Sequence, residues 1–338
     1  MSENKETENH QKDVLDEFNE QFGQQEKKEA TGTPVAGAPT IVNGRTTSLG
    51  QVTYHDTVNT KSADQLLGYI DLPVVNLPSA GRFYPDDLTI SIRAAKVAEI
   101  RDFSIIDEQN PKDVADRIGA LLSNTVKVMR GNAPVSYKEL LEADKLMLVF
   151  HVRALTFDSG LSSIKVPVPA SACQNCHYEG DVPLDWGMVQ IKHPAADSIL
   201  ERYYDEENKC YTVKTKTLGT FQLKPPTIGT AEYLLNWIVT NQNKKWDKAL
   251  VPLLAYFINY KERPDLFKKA VEAQSWPTKK FSLVNRLVEE LEDGLGIETE
   301  FKTVCPDCGS EITIPFQIGG GLKSIFVEDL SDLTEELI

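Results

Sequence analysis

Four of the five cysteines stand in two Cys-x-x-Cys pairs, Cys173-Gln174-Asn175-Cys176 and Cys305-Pro306-Asp307-Cys308. A tight turn with this spacing aims two thiolates to one side while backbone amides donate to them, which makes half of a tetrahedral zinc site. Two such halves supply four thiolates and leave no open coordination position. The chemistry expected is therefore one structural Zn2+ per chain, held by Cys173, Cys176, Cys305 and Cys308. After the second pair Gly309 permits the positive φ that closes such a turn, whereas the first pair is followed by no glycine until Gly180. Cys210 is left over and is expected to be dispensable for the metal.

Other chemistries fit these residues less well. A redox Cys-x-x-Cys sits at a helix N-terminus after a strand, whereas both pairs here precede strand-like sequence. Cys173-Gln174-Asn175-Cys176-His177 matches the pattern for c-type haem attachment, but that needs export, and Met1 to Glu6 opens a polar, acidic stretch with no apolar core of an export signal. His177 is a rival fourth ligand; with four cysteines at hand it reads as a hairpin residue. The other histidines are scattered: His10 and His55 in the polar start, His151 in an apolar helix, His193 before Pro194. Gly319-Gly320-Gly321-Leu322-Lys323 lacks the spacing of a phosphate loop and reads as a turn. No catalytic constellation emerges, and the chain is expected not to be an enzyme.

The two half-sites are separated by 128 residues (177–304), so the elements between them must bring the pairs together. Ser163 to Val168 and Thr299 to Thr303 read as strands leading into the pairs, with Asp181 to Leu184 and Glu311 to Phe316 leading away. The expected class is α+β: a mainly helical body with short antiparallel strands, and a zinc-ribbon-like pair of Cys-x-x-Cys hairpins joined across a helical insertion. Residues 1–60 read as a disordered polar region in which Val14, Leu15, Phe18 and Phe22 permit a short amphipathic helix. Residues 61–160 hold the strand Leu88 to Ile92 and helices over Ala94 to Ile106, Pro111 to about Val128 and Ser136 to Phe157. Residues 161–226 carry the first Cys-x-x-Cys hairpin and a β-rich segment, with a hairpin from Lys209 to Leu223 turning near Gly219. Residues 227–298 form the helical insertion, with helices over Thr227 to Gln242, Asp247 to Tyr260, Pro264 to Ala273 and Pro277 to Leu291. Residues 299–327 make the second hairpin, and 328–338 an acidic tail.

Composition narrows the function classes. A hydrophobic content of 41% with 25% charged residues is that of an ordinary globular protein. A formal charge of −14 and a pI near 4.9 disfavour strong nucleic-acid binding, which draws its energy from clustered Lys and Arg. Leu146 to Phe150 is flanked by Lys145, His151 and Arg153, well short of the roughly 20 apolar residues of a membrane span, so a soluble intracellular protein is expected.

Leu77-Pro78-Ser79-Ala80-Gly81-Arg82-Phe83-Tyr84-Pro85, followed by an Ile-Ser-Ile-Arg strand and much later by Cys305-Pro306-Asp307-Cys308-Gly309, resembles the baseplate hub proteins of T-even-type contractile-tailed bacteriophages. The resemblance covers roughly residues 70 to 327, and relative to that family residues 1–60 and 185–225 look like additions. It implies a virion structural or assembly protein whose partners are other baseplate and tail proteins, with a homo-oligomer compatible and no membrane. Its place would be the host cytoplasm during assembly and then the tail baseplate. A zinc-ribbon regulator of nucleic acid or the transcription machinery is the other class left open. Such a ribbon interleaves basic and aromatic residues around its knuckles, where this chain has Glu179, Asp181, Asp307 and Glu311.

Overall fold

The computed structural model describes residues 68–216, 218–241, 250–257 and 273–327. Among them helices and antiparallel sheets are mixed. The first sheet runs β1 (Ile70–Leu72), β2 (Leu88–Ile92), β3 (Val126–Arg130) and β4 (Ala133–Val135), each strand paired with the next in that order. Leu88, Ile90 and Ile92 alternate inward on β2 and meet Val126 and Val128 of β3, with Ile90 opposite Val128.

Between β2 and β3 lie α1 (Val97–Ser104) and α2 (Pro111–Thr125). Asn110 caps α2 by accepting from the N–H groups of Lys112 and Asp113, and Pro111 occupies the first helical position. The sequence reading carried this helix to Val128; it ends at Thr125. Val126 and Val128 are β-branched and half a sheet already waits for them in β2, so strand pairing wins over helix continuation. The two-residue link Gly131-Asn132 then turns β3 into β4, with Arg130 opposite Ala133.

The third expected helix is also shorter: α3 spans Lys145–Thr156, and residues 136–144 form two short 3-10 turns, Tyr137–Glu139 and Glu142–Asp144. Tertiary partners claim the backbone there. Leu140 O accepts from Ile228 N at 2.7 Å, Leu141 N donates to the Tyr84 hydroxyl at 2.9 Å and Glu142 N to Pro226 O at 3.0 Å. Every residue from Met147 to Arg153 on α3 is buried, as in a helix that runs through a core.

β5 (Lys165–Val168) and β6 (Gly180–Pro183) form one hairpin, with Val166 opposite Val182. β7 (Tyr204–Asp205), β8 (Cys210–Thr215) and β9 (Gly219–Leu223) form a three-stranded sheet, in which the expected hairpin turns just before Gly219. Helices α4 (Ile228–Thr240), α5 (Leu250–Leu254) and α6 (Thr278–Asp293) follow. On α6 Val284, Leu287, Val288 and Leu291 are buried at i, i+3, i+4 and i+7, one helical face. The expected helix Pro264 to Ala273 lies, except for its last residue, outside the described residues. So do the start and end of Asp247 to Tyr260, the polar region 1–60 and the acidic tail 328–338. The chain returns to strand in β10 (Glu300–Val304) and β11 (Glu311–Pro315), with Phe301 opposite Ile314. Among the described residues no helix is long and apolar enough to cross a membrane.

Candidate metal centre

The loop of the β5–β6 hairpin carries Cys173 and Cys176, and the loop of the β10–β11 hairpin carries Cys305 and Cys308. Backbone pairing outside the hairpins brings the two loops together. Ile191 bridges Ile297 in antiparallel fashion, flanked by Lys192 N to Gly296 O at 2.9 Å and Glu298 N to Gln190 O at 2.8 Å. The segment leaving the first hairpin thus pairs with the one entering the second. On the far side Gly319 N donates to Lys165 O at 2.6 Å, which ties the exit of β11 to the start of β5. Phe316 packs between these supports, its ring 4.6 Å from Phe301 and 6.3 Å from Phe150 of α3.

The four sulfurs converge. Cys173 Sγ lies 3.5 Å from Cys176 Sγ and 3.4 Å from Cys308 Sγ, and Cys176 Sγ lies 3.5 Å from Cys305 Sγ. All four fall within 4.8 Å of one another. Sulfurs at about 2.3 Å from a tetrahedral zinc are separated by about 3.8 Å, so the donor set and its spacing fit that ion. The four positions named from spacing alone are the four that the fold brings together; Cys210 is not among them. It is buried in β8, its sulfur 3.9 Å from Thr212 Oγ1.

The two knuckles are built alike. In each, the carbonyl of the first cysteine accepts from the N–H of the residue after the second: His177 N to Cys173 O and Gly309 N to Cys305 O, both 3.0 Å. That residue is left-handed in both, with φ 54° at His177 and 71° at Gly309. The turn then delivers the next N–H, of Tyr178 or Ser310, to the second sulfur. His177 therefore takes the backbone place of a glycine, its side chain exposed and outside the sulfur cluster, so it is not a ligand here. Asn175 Nδ2 donates to Ser310 Oγ at 2.6 Å, a polar link from one knuckle to the other that spacing could not reveal.

The thiols differ in acidity. Hydrogen bonding with the Ser310 side chain and with its N–H lowers Cys308 to about 6, and the Cys176 N–H lowers Cys173 against the effect of burial. Burial and the neighbouring sulfurs push Cys176 up to about 12. A divalent cation would offset that crowding, since binding releases the thiol protons. Cys173 and Cys305 are buried, Cys176 is half-buried and Cys308 is exposed. Glu179, Asp181, Asp307 and Glu311 are all exposed around them.

A second conspicuous motif, Leu77 to Pro85, folds into a junction with no metal-ligating set. Ser79 donates to the fully buried Asp144 through both N–H (2.8 Å) and hydroxyl (2.7 Å), and Tyr84 donates its hydroxyl at 2.6 Å. Burial raises the Asp144 carboxyl above its ordinary range despite these donors. Gly81 turns the segment at φ 76°, where an added Cβ would stand 2.6 Å from Val74 Cγ2. Arg82 then pairs with Glu201 through both guanidinium nitrogens, at 2.9 and 2.6 Å, and its guanidinium lies 3.8 Å from the centre of the Tyr204 ring. Asp144 carried no sequence signal, because its partners lie about sixty positions upstream and nothing local marks it as buried.

Comparison with protein-family models found no match, nor did comparison with curated proteins or with solved structures.

Proposed function

We propose that this chain is a non-enzymatic structural or assembly protein of a contractile phage tail baseplate, whose zinc-ribbon-like pair of hairpins is closed by one structural Zn2+. The observation that carries the metal half of this reading is the meeting of four sulfurs from two hairpins 128 residues apart. Cys173, Cys176, Cys305 and Cys308 would hold the ion, which would supply a crosslink and no open coordination position. The two hairpins would then act as one clamp at the ends of the helical insertion. The assembly half of the reading is supported by the resemblance of Leu77 to Pro85 and Cys305 to Gly309 to baseplate hub proteins. An exposed acidic rim around the knuckles weighs against a nucleic-acid ribbon.

Two measurements test the halves separately. Metal analysis of the purified protein should give one zinc per chain, with sulfur scatterers at about 2.3 Å in X-ray absorption; zero zinc would sink the metal centre. Mass spectrometry of purified phage particles and of complexes pulled down from infected cells should place the chain with tail proteins. Recovery with RNA polymerase or nucleic acid instead would favour the regulatory reading.

A further inference from the structure

The two knuckles share a backbone turn and differ in the side chains around it. Aligned on their cysteines, Asn175 stands where the second knuckle has Asp307, and Tyr178 where it has Ser310. The Asp307 side chain has no N–H to donate, and the Tyr178 hydroxyl donates to Asp181 O at 3.3 Å. Asn175 instead reaches across the centre, its Nδ2 donating to Ser310 Oγ at 2.6 Å. Ser310 is in turn wrapped around the second knuckle. Its carbonyl accepts from Cys305 N at 2.8 Å, its N–H donates to the Cys308 sulfur, and its hydroxyl oxygen lies 3.3 Å from that same sulfur.

In the thiol form Cys308 Sγ donates to the Ser310 hydroxyl. Metal binding takes the thiol proton away, and a thiolate can only accept. The hydroxyl then has its own proton to give to the sulfur, because its oxygen already accepts from Asn175. Resting on the zinc reading above, we propose that Ser310 and Asn175 are positioning residues of the metal centre, a donor relay from Asn175 through Ser310 to Cys308 by which the first knuckle holds a ligand of the second. Four thiolates carry two more negative charges than a zinc ion offsets, and the exposed Glu179, Asp181, Asp307 and Glu311 surround them. Donors to sulfur spread that charge. Cys308 is the exposed ligand, the one that water and a competing chelator reach. Two hydrogen bonds from Ser310 fix the direction of its sulfur, as groups behind the ligands do at metal sites in general.

The test measures zinc affinity of the full chain by competition with a chromogenic chelator, for the parent and for Ser310→Ala, Ser310→Thr, Asn175→Ala and the Ser310→Ala/Asn175→Ala double variant. Ser310→Ala should bind zinc about 10- to 100-fold more weakly, and Ser310→Thr, which keeps the hydroxyl, should bind it as the parent does. Asn175→Ala should lose less, and the double variant should be no weaker than Ser310→Ala, because the relay ends at one hydroxyl. In the Co2+-loaded protein the sulfur-to-cobalt charge-transfer absorption should move to lower energy in Ser310→Ala, since a thiolate relieved of a hydrogen bond gives up an electron more readily. A merely structural serine would leave that absorption in place. Parent affinity in Ser310→Ala or Asn175→Ala, failure of threonine to restore binding, full addition of the two losses, or an unmoved absorption overturns the proposal and leaves the zinc site standing. Parent protein that holds no zinc overturns the metal centre itself, and the proposal with it.

Discussion

The four-cysteine centre and the Ser79–Tyr84–Asp144 junction both tie together residues remote in sequence, and they do so by opposite means. At the junction all parts are present: three donors converge on a buried carboxylate, and the fold supplies the whole connection. At the centre the fold brings four thiols together, and burial with the neighbouring sulfurs pushes Cys176 up to about 12. One connection is complete in the polypeptide; the other, on the proposed zinc reading, is a socket whose stability would depend on what fills it. The lesson is that the centre should answer to chelators and metal, and the junction only to mutation.

The largest effect should come from breaking the socket. Cys173→Ser and Cys308→Ser should each abolish stoichiometric zinc and lower stability by several kcal/mol, on the order of what structural zinc supplies. Thermal melts with and without EDTA should coincide in the variants and differ in the parent protein. A variant that keeps one zinc would show that its sulfur is not a ligand. On the proposed baseplate role, complementation of a phage null with either variant should then give defective tails.

Next in size is the junction. Asp144→Ala leaves the Ser79 N–H, the Ser79 hydroxyl and the Tyr84 hydroxyl without their buried acceptor, at a cost of about 3 kcal/mol or more. The zinc content should stay at one per chain, because no cysteine is touched. Loss of zinc in this variant would mean that the two regions are one cooperative unit, and the contrast between them would fail.

A smaller effect separates both from pH. His151 is buried against the Trp186 ring at 5.1 Å, and burial lowers its pKa to about 4. A depressed folded value means that the unfolded chain takes up the proton first. The contribution is complete above about 6.5 and is lost as pH falls toward 4, about 2 kcal/mol by pH 5. The raised carboxyl of Asp144 has the opposite sign: its charged form costs stability at neutral pH, and protonation on acidification relieves that cost. Melts of the parent and His151→Phe proteins at pH 8 and pH 5 should show a shallower acid loss in the variant. Equal losses would remove His151 from the account.

The smallest effect distinguishes the two knuckles. His177 holds a left-handed conformation that costs a non-glycine residue about 1 kcal/mol, so His177→Gly should be neutral or stabilising by up to that amount. Gly309→Ala should cost about 1 kcal/mol for the same reason. Urea melts of the zinc-loaded proteins resolve both, and a destabilising His177→Gly would show that the imidazole does more than fill a glycine's place.

What was legible in the sequence is what local spacing encodes. Two thiolates three positions apart in a turn, a capped start at Asn110-Pro111 and alternation along Leu88 to Ile92 all depend on near neighbours, and each stands in the structure as read. The misses share a cause too. The helix expected to reach Val128 stops at Thr125 because β2 competes for Val126 and Val128, and residues 136–144 do not join α3 because Tyr84, Pro226 and Ile228 take their backbone groups. Gly131-Asn132 was a usable hairpin signal, masked by the helical periodicity before it.

By itself, then, the sequence determined which residues can ligate a metal, and that they come in two equivalent turns. Only the tertiary structure decided that the turns meet, that sulfur contacts cross from hairpin to hairpin, and that His177 serves as backbone while Asp144 lies buried. The physical reason is range. Turn chemistry and periodicity act over a few residues, whereas burial and convergence depend on pairings such as Ile191 with Ile297 and Gly319 with Lys165, which exist only once the chain has folded.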